Sequence, residues 1–393
     1  MLNLAPTSAD SGSTKSGALG DSRKCIVLMR VLQLIGSTGI YGAEAVVASL
    51  ARDLRSEGID TCVGHIRYAD PEALKLEDRL TDCDVFALAH GRRLDLGMLK
   101  RLHKAVKQRK IDLIHSHGYK PDFYGGLIAR IAGIPVVSTC HLWTKSTPAL
   151  RVYARFDAAL LRNFDRVVAV SQPIFQELKT VGIPDQKLDL IPNGIAVTRF
   201  LAADPLYRHL FPRDSLVFGL AGRQVAAKGV DVLLRAIPQV IALAPSARFL
   251  IAGDGPKLDE YRKSARDLNI ADKVIFLGRT ESMPEFYASL DCFLLPSLAE
   301  GLPIALLEAM ASARVVIASD VGSVQAVVRH QETGLLVPPG SVEALTSAIL
   351  FVYSNFERIS RLGSAGRGQI LANYASCRMV KRYADIYKGL QVV

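Results

Sequence analysis

The feature that most constrains the fold of this chain is a regular alternation of short apolar runs with amphipathic, helix-like stretches. Predicted strands and helices alternate through the first half at 25–35, 43–56, 110–115, 121–132, 135–139, 166–170, 171–180 and 188–191. Short buried runs separated by helices are typical of βαβ units, whose strands are parallel and whose helices cover both faces of the sheet.

The alternation restarts after a turn signal at Pro192-Asn193-Gly194 and an irregular stretch at 199–215. Predicted strands follow at 215–220, 248–251, 273–277, 292–295, 315–318 and 334–337, with predicted helices at 230–244, 256–268, 283–289, 303–311, 323–328 and 342–354. The sequence therefore predicts an α/β fold with two doubly wound domains that face each other across a cleft. Ligands of such sheets bind at the carboxyl ends of the strands.

Composition agrees with a folded chain of two or three domains, because 49% of the 393 residues are hydrophobic and 22% are charged. No stretch approaches the about 20 apolar residues that a bilayer span needs. Residues 1–24 are rich in Ser and Gly and lack the apolar core of a signal peptide, so we predict a disordered tail. The six cysteines are scattered without a C-x-x-C pair, which argues against zinc and disulfides and favours the cytoplasm.

The net charge of +10 indicates anionic partners, and the first half is the more basic. Zinc-finger and RNA-recognition signatures are absent, which disfavours nucleic acid. One segment, 92–110, combines eight basic residues with Leu96, Leu99, Leu102 and Val106 at helical spacing. We expect this apolar stripe to pack on the sheet. The basic flank is either solvated or contacts anionic lipid, as a peripheral attachment to the inner face of a membrane.

A first candidate site follows the predicted strand 215–220, in the segment 222–229. It contains Arg223 and Lys228, which are the two standard types of cationic phosphate donor, between glycines that let backbone approach a ligand. A diphosphate between a strand end and a helix start is the expected occupant. A solvated turn with two surface cations is the alternative.

A second candidate site lies at 300–308, after the strand 292–295. Glu300 precedes a helix whose first turn suits Pro303, and Glu308 lies about a turn inside an otherwise apolar stretch. A carboxylate there is costly without a partner, and the two vicinal hydroxyls of a ribose are one candidate partner. A capping acid and an exposed helical glutamate are the alternative.

Taken in order, these motifs resemble glycosyltransferase family 4, whose members have two facing Rossmann-like domains of the GT-B type. The resemblance extends over nearly all of the chain beyond the tail. It rests on the segments at 39–44, 115–118, 171–172, 191–194, 222–229, 253–256, 300–308 and 333–340, together with Gly322. The resemblance implies an acceptor-side domain at 25–198, a nucleotide-sugar domain at 199–370, and a C-terminal helix at 371–393 that packs back on the first domain.

The resemblance also implies roles for individual residues. Glu300 would bind hydroxyls of the transferred sugar, Glu308 the ribose diol, and His117 the donor sugar, while His115 stays structural and His141 is an acceptor-side candidate. The donor-binding positions are Gly39, Gly42, Arg223, Lys228, Gly253, Arg279, Gly301, Leu302, Pro303, Ile304 and Glu308. The family's usual glycine is replaced by Tyr41, whose side chain would crowd a phosphate contact.

The function implied by the resemblance is that of a retaining glycosyltransferase. It moves a sugar from a nucleotide-diphosphate donor to a glycan or lipid-linked acceptor, in the synthesis of cell-surface polysaccharide, lipopolysaccharide or glycolipid. UDP-sugars are favoured over GDP-sugars, and neither a metal nor a further cofactor is expected; the match of Asp82-Cys83-Asp84 to a metal-binding D-x-D is attributed to chance. A nucleotide-sugar epimerase and a non-catalytic nucleotide-sugar binding protein are the alternatives.

Overall fold

The chain forms two parallel sheets, in a computed structural model that describes residues 29–37, 42–67, 80–89, 95–141 and 156–391. In the described residues the first sheet has seven strands in the order β3-β2-β1-β4-β5-β6-β7, and the second has six in the order β10-β9-β8-β11-β12-β13. The strands, β1 to β13 in chain order, are Met29–Ser37, Ile59–Arg67, Asp84–Ala89, Leu113–His117, Val136–Cys140, Arg166–Ala169, Leu188–Leu190, Leu216–Ala221, Ala247–Ala252, Val274–Gly278, Cys292–Leu295, Val315–Ser319 and Leu335–Val337.

Helices connect the parallel strands, as the predicted α/β fold requires. They are Gly42–Asp53, Leu96–Gln108, Tyr119–Ala132, Gln172–Thr180, Val230–Leu243, Leu258–Asp267, Met283–Ala288, Ile304–Ala311, Val324–Val327, Val342–Ile359, Arg361–Asn373 and Ser376–Gly389. The strand order reverses between β1 and β4 in the first sheet and between β8 and β11 in the second. Such reversals open a crevice at the carboxyl edge of a sheet, where ligands bind.

The central strands are predicted well because both of their faces are buried. Val31, Leu32 and Leu34 of β1 are fully buried, and β1 pairs in register with β4. The predicted start of this strand at Cys25 lies outside the described residues, as do the tail at 1–24 and Gly39, Tyr41, Arg92 and Arg93.

Several predicted elements differ from the structure. The strand expected at 110–115 is β4, Leu113–His117, because the preceding helix reaches Gln108 and Lys110 then adopts a left-handed turn with φ of 51°. The strands β2 and β3 are not among the predicted strands. In β2 the residues Asp60, Thr61 and His65 interrupt the apolar pattern, and β3 is a partly exposed edge strand.

The basic helix Leu96–Gln108 packs on the sheet, and the predicted apolar stripe is correct in part. Leu102 and Val106 are buried and Leu99 is partly buried against the core, as expected, whereas Leu96 is 69% exposed and Met98 is buried instead. Residues four apart share a face, so Met98, Leu102 and Val106 form the buried stripe, and Leu96 lies about 200° around the helix from Met98. Lys100, Lys104 and other cations of this helix are exposed.

The segment Asp82-Cys83-Asp84 is held by arginines of its own domain. Asp82 pairs with Arg52, and Asp84 contacts both Arg30 and Arg109. The described residues contain no group of three or more His, Cys, Asp or Glu side chains arranged to hold a metal ion, and their cysteines are free. Among them, too, no helix has the length and hydrophobicity that crossing a bilayer requires.

The chain crosses between the two sheets at two places that pair with each other. The N–H of Ile195 donates to the carbonyl of Tyr374 at 2.9 Å, and the N–H of Ser376 donates to the carbonyl of Ile195 at 2.8 Å. After this second crossing, the helix Ser376–Gly389 packs against the helix Gly42–Asp53 of the first half. Side chains of the last helix therefore enter the core beneath the first sheet.

Candidate active site in the cleft

A cavity of about 440 Å³ lies at the carboxyl ends of the strands and is lined by both halves of the chain. The first half contributes Gly42, His141 and Asn193. The second half contributes the predicted positions Arg223, Lys228, Gly253, Arg279, Glu300, Gly301, Leu302, Pro303, Ile304 and Glu308. This volume is in the range of small-molecule sites. Apart from Gly39 and His117, the structure brings all of the predicted site residues to one cavity.

The loop after β8 places Lys228 in the cleft through a turn that only glycine allows. Gly229 has a φ of 66°, and a Cβ on it would lie 1.9 Å from the carbonyl oxygen of Pro296. The close approach of these two loops lets the Nζ of Lys228 reach Oε1 of Glu300, 2.6 Å away. The hydroxyl of Ser297 donates to the same oxygen at 2.7 Å.

This ion pair was not foreseen from the sequence. The sequence predicts a diphosphate contact for Lys228 and a sugar contact for Glu300, whereas in the structure the two side chains contact each other. Only 8% of the Glu300 side chain is exposed, so its charge is largely shielded from water and compensated by the lysine. A ligand that reaches either group must compete with the other.

The carboxyl group of Glu308, which needs a hydrogen-bond partner in this apolar helix, is paired with a tyrosine. The Oη of Tyr287 donates to Oε2 of Glu308 at 2.9 Å. Burial raises the pKa of Glu308 to about 7, although the Tyr287 hydrogen bond and the charge of Arg199 each favour the ionised form. Near neutral pH this carboxyl group is therefore poised between its two protonation states.

The loop that carries the first glutamate is held by both halves of the chain. A Cβ on Gly301 would lie 2.2 Å from the carbonyl oxygen of His141. The Asn193 amide donates to the carbonyl of Leu302 at 3.3 Å, and the N–H of Ser323 donates to the carbonyl of Gly301 at 3.3 Å. The position of this loop consequently depends on how closely the two halves approach.

The structure places His117 behind the residues that line the cavity, so its predicted contact with the donor sugar stays a prediction. His117 lies at the carboxyl end of β4, as expected, but it is 4% exposed and is not among the described residues that line the cavity. Its Nε2 bonds to Oε1 of Gln33 at 2.9 Å, and its Nδ1 to Nε2 of His141 at 3.1 Å. The sheet buries His117 behind His141, which lines the cavity in its place. His115 is fully buried, as its structural assignment expects.

Several residues that line the cavity had no predicted site role, among them Asn193, Tyr287 and Arg199. Asn193 was interpreted as part of a turn and of one segment that carries the family resemblance, without a ligand role, although its place between the two predicted domains was a usable signal. Tyr287 and Arg199 carried no signal, because their approach to Glu308 depends on tertiary packing.

Comparison with known families agrees with this geometry. The model described as "Glycosyltransferase Family 4" matches residues 40–199, and the one described as "Glycosyl transferases group 1" matches residues 215–355. The first match extends over strands β2 to β7 and the second over β8 to β13. The chain belongs to the family-4 type of glycosyltransferases. Its fold is of the GT-B type, with a Rossmann-like domain on each side of the cleft.

Individual relatives of this glycosyltransferase use lipid-linked acceptors. It is 26% identical to the UDP-Gal:alpha-D-GlcNAc-diphosphoundecaprenol alpha-1,3-galactosyltransferase of Escherichia coli, over 76% of this chain and 80% of that one. It is 32% identical to the GDP-mannose-dependent alpha-(1-6)-phosphatidylinositol monomannoside mannosyltransferase of Mycobacterium tuberculosis, over 52% of this chain and 57% of that one.

Solved structures show the same fold. The HepE protein of Anabaena in complex with UDP-glucose superposes with a TM-score of 0.81, at 21% identity, and the match covers 92% of this chain and all of that one. At this identity the likeness concerns the fold of the glycosyltransferase.

Proposed function

We propose that this glycosyltransferase takes its sugar from a nucleotide-diphosphate donor and transfers it with retention of the anomeric configuration. The observation that carries the proposal is the convergence of two cations and two carboxyl groups, Arg223 with Lys228 and Glu300 with Glu308, in one cleft. We assign the cations to the diphosphate, Glu300 to the transferred sugar and Glu308 to the ribose.

In the proposed reaction, the bond from the anomeric carbon to the diphosphate breaks as the acceptor hydroxyl attacks from the same face. Negative charge develops on the leaving diphosphate, where Arg223, Lys228 and the N-terminus of the helix Ile304–Ala311 stabilise it. These charges supply that stabilisation without a metal ion. The leaving phosphate accepts the acceptor's proton, so no protein nucleophile is required.

We further propose a UDP-sugar as the donor and a lipid-linked glycan as the acceptor. The galactosyltransferase of E. coli is named for UDP-Gal and a diphosphoundecaprenol acceptor, and HepE was solved with UDP-glucose. The mycobacterial relative is named for GDP-mannose, which makes GDP-sugars the competing class. A cytoplasmic enzyme at the inner face of the membrane fits such substrates.

The deciding experiment incubates the protein with UDP-, GDP- and ADP-sugars, with and without a lipid-linked acceptor. A transferase releases nucleoside diphosphate rapidly only when the acceptor is present. An epimerised sugar supports the epimerase alternative, and binding without turnover supports a non-catalytic binding protein. Arg223→Ala should weaken donor binding by about 1.5–3 kcal/mol, because one charge-assisted contact to phosphate is lost. Lys263→Ala removes an equally exposed cation from the helix Leu258–Asp267 and is the matched control.

We also propose that the exposed basic face of the helix Leu96–Gln108 contacts anionic lipid. Leu96, Lys100 and Lys104 lie four residues apart and are all exposed, so they form one surface with an apolar end. The double variant Lys100→Glu/Lys104→Glu should weaken flotation with anionic liposomes at least tenfold, since each cation near a membrane contributes about 1 kcal/mol. The control Lys263→Glu/Arg266→Glu makes the same charge change elsewhere. Equal flotation of both variants, or none by the wild type at low salt, contradicts the proposal.

For the domain organisation we propose limits at 25–198 and 199–370, with 371–393 attached to the first domain. The described strands β1 to β7 lie before the first limit and β8 to β13 after it. Contacts of the last helix with the helix Gly42–Asp53 support the third assignment.

A further inference from the structure

Gln224 is a fully buried polar residue in the segment 222–229, between the cavity-lining cations Arg223 and Lys228. It is not itself among the described residues that line the cavity. Burying an amide is costly unless its groups are hydrogen-bonded. The hydrogen bonds of Gln224 therefore decide what it contributes to this segment.

The side-chain amide of Gln224 joins the ends of two neighbouring strands. Its Nε2 donates to the carbonyl oxygen of Gly222 at 2.9 Å and, over a longer 3.4 Å, to that of Ala252, the last residue of β9. Carbonyl oxygens can only accept hydrogen bonds, so only the nitrogen end of the amide can face them. The amide cannot turn over without losing both bonds, and the orientation of this side chain is therefore fixed.

The backbone of Gln224 is bonded to the loop that follows β9. Its N–H donates to the carbonyl of Asp254 at 2.7 Å, and its carbonyl accepts from the N–H of Lys257 at 3.1 Å. The loop passes so close that a Cβ on Gly255 would lie 2.6 Å from the carbonyl oxygen of Gln224. Side chain and backbone of Gln224 thus connect the segment 222–229 to the same neighbouring strand and loop.

Arg223 lies between two points that these bonds fix. Its side chain is exposed and lines the cleft, whereas the carbonyl of Gly222 before it and the backbone of Gln224 after it are hydrogen-bonded. A long cationic side chain loses conformational freedom when it binds phosphate, and a backbone that is already fixed lowers that cost. Bonds on both sides of Arg223 therefore favour its binding to an anion without adding a contact to the ligand.

The other end of the Gln224 amide is unfavourable for stability. Within the described part of the chain, its Oε1 is buried and has no hydrogen-bond partner. An unpaired buried acceptor is destabilising, so packing alone would favour an apolar side chain of the same length. Residues that break a local rule of this kind are expected at functional sites, and this one adjoins the cation assigned to the diphosphate.

We propose that Gln224 is a positioning residue that fixes the backbone on both sides of Arg223, so that the guanidinium is oriented in advance for the diphosphate of a nucleotide. This inference rests on the proposed function for the identity of the ligand. It extends that function to a residue that does not line the cavity. Because Gln224 acts through Arg223, its effect on binding should disappear when Arg223 is removed.

The first test is a double-mutant cycle on binding, measured by isothermal titration with whichever of UDP, GDP and ADP binds the wild type most tightly. Gln224→Met keeps the length of the side chain but has no hydrogen-bond donor, and it should raise Kd about tenfold, the equivalent of one hydrogen bond. In an Arg223→Ala background the same substitution should change Kd less than about twofold, because the residue through which Gln224 acts is gone. Equal effects in both backgrounds would overturn the positioning role.

Gln369→Met, in the helix Arg361–Asn373, is the matched control. The amide nitrogen of Gln369 also donates to a backbone carbonyl, that of Ala326 at 3.4 Å, and among the described residues its buried Oε1 has no partner either. Its Kd should equal that of the wild type, and the Tm of Gln224→Met should be no lower than that of Gln369→Met. A much lower Tm in Gln224→Met, with a Kd like that of the control, would overturn the inference in favour of a structural role.

A measurement without ligand separates this inference from the proposed function. Amide hydrogen exchange over 222–229 should be about tenfold faster in Gln224→Met than in the wild type or in Gln369→Met, since the bonds that hold this segment are weakened. Unchanged exchange would overturn the inference even where a nucleotide binds. A wild-type protein that binds none of the three nucleotides overturns the proposed function instead, while the exchange still decides whether Gln224 fixes the segment. If Gln224→Met does not fold, Gln224→Leu replaces it in both tests with the same expected results.

Discussion

The Nζ of Lys228 lies 2.6 Å from Oε1 of Glu300, so a cation and a carboxylate of the candidate site neutralise each other. A diphosphate carries more negative charge than one carboxylate and is the stronger partner for the lysine. Donor binding should accordingly release Glu300 from Lys228 and make its oxygens available to hydroxyls of the sugar. The ion pair therefore couples binding of the diphosphate by Lys228 to binding of the sugar by Glu300.

Glu300→Gln should bind a free nucleoside diphosphate more tightly than the wild type does, because Lys228 no longer has a competing partner. We expect a gain of about 1 kcal/mol, or about fivefold in Kd, by isothermal titration. Ser297→Ala removes the other hydrogen bond to Oε1 of Glu300 without changing charge and should leave Kd nearly unchanged. Weaker binding in Glu300→Gln would mean that this side chain contacts the nucleotide itself.

The two glutamates should affect different kinetic constants. Glu308, if it binds ribose, interacts about equally in the ground state and the transition state, so Glu308→Gln should raise the donor KM about tenfold. Glu300, beside the bond that breaks, should chiefly affect kcat. Initial-rate measurements with both variants separate these effects. The reverse pattern would mean that the donor binds in the opposite orientation across the cleft, and a fold that melts in Glu308→Gln would indicate a structural carboxyl group.

Donor affinity should increase with pH near neutrality. A carboxylate can accept hydrogen bonds from both ribose hydroxyls, whereas a protonated carboxyl group cannot, and burial raises the pKa of Glu308 to about 7. From pH 6 to pH 8 we expect the Kd of the donor to fall about tenfold more in the wild type than in Glu308→Gln. Parallel pH profiles of the two proteins would exclude this role for Glu308.

The same group should make the protein less stable at higher pH when no donor is added. The folded pKa of about 7 lies above the ordinary value of 4.5, so the contribution of Glu308 to stability is fully present below about pH 4.5 and is lost as the pH rises through 7. Without donor at pH 8, Glu308→Gln should therefore unfold at a higher temperature than the wild type, as measured by calorimetry. A lower Tm for the variant at pH 8 would contradict this assignment.

Gly301→Ala tests how closely the two halves approach. The new Cβ would lie 2.2 Å from the carbonyl oxygen of His141, so one of the two loops must move. We expect a lower Tm and a lower kcat/KM. Gly368→Ala is the control, because its Cβ would meet no atom within 4 Å and alanine is favoured in a helix by about 1 kcal/mol. If Gly301→Ala behaves like Gly368→Ala, the halves do not approach as described.

Much of the site could be predicted from the sequence because its cations and acids follow strands that are themselves easy to recognise. The strand Cys292–Leu295 coincides with its prediction, and all of its residues are buried. Such a strand has apolar contacts on both faces, so its run of apolar residues is enough to predict it from the sequence. The edge strand β3 faces solvent along much of its length and lacks this signal.

The sequence by itself determined that the chain alternates strands and helices, that Arg223, Lys228 and Glu300 lie in loops after strands, and that Glu308 lies in the helix after Glu300. These properties depend on composition and spacing within a few residues. Only the tertiary structure decided which groups meet: Lys228 with Glu300, 72 positions away, and Tyr387 with His115, 272 positions away. Contacts between such distant residues depend on how the two sheets and the last helix pack, and a local pattern carries no information about that packing.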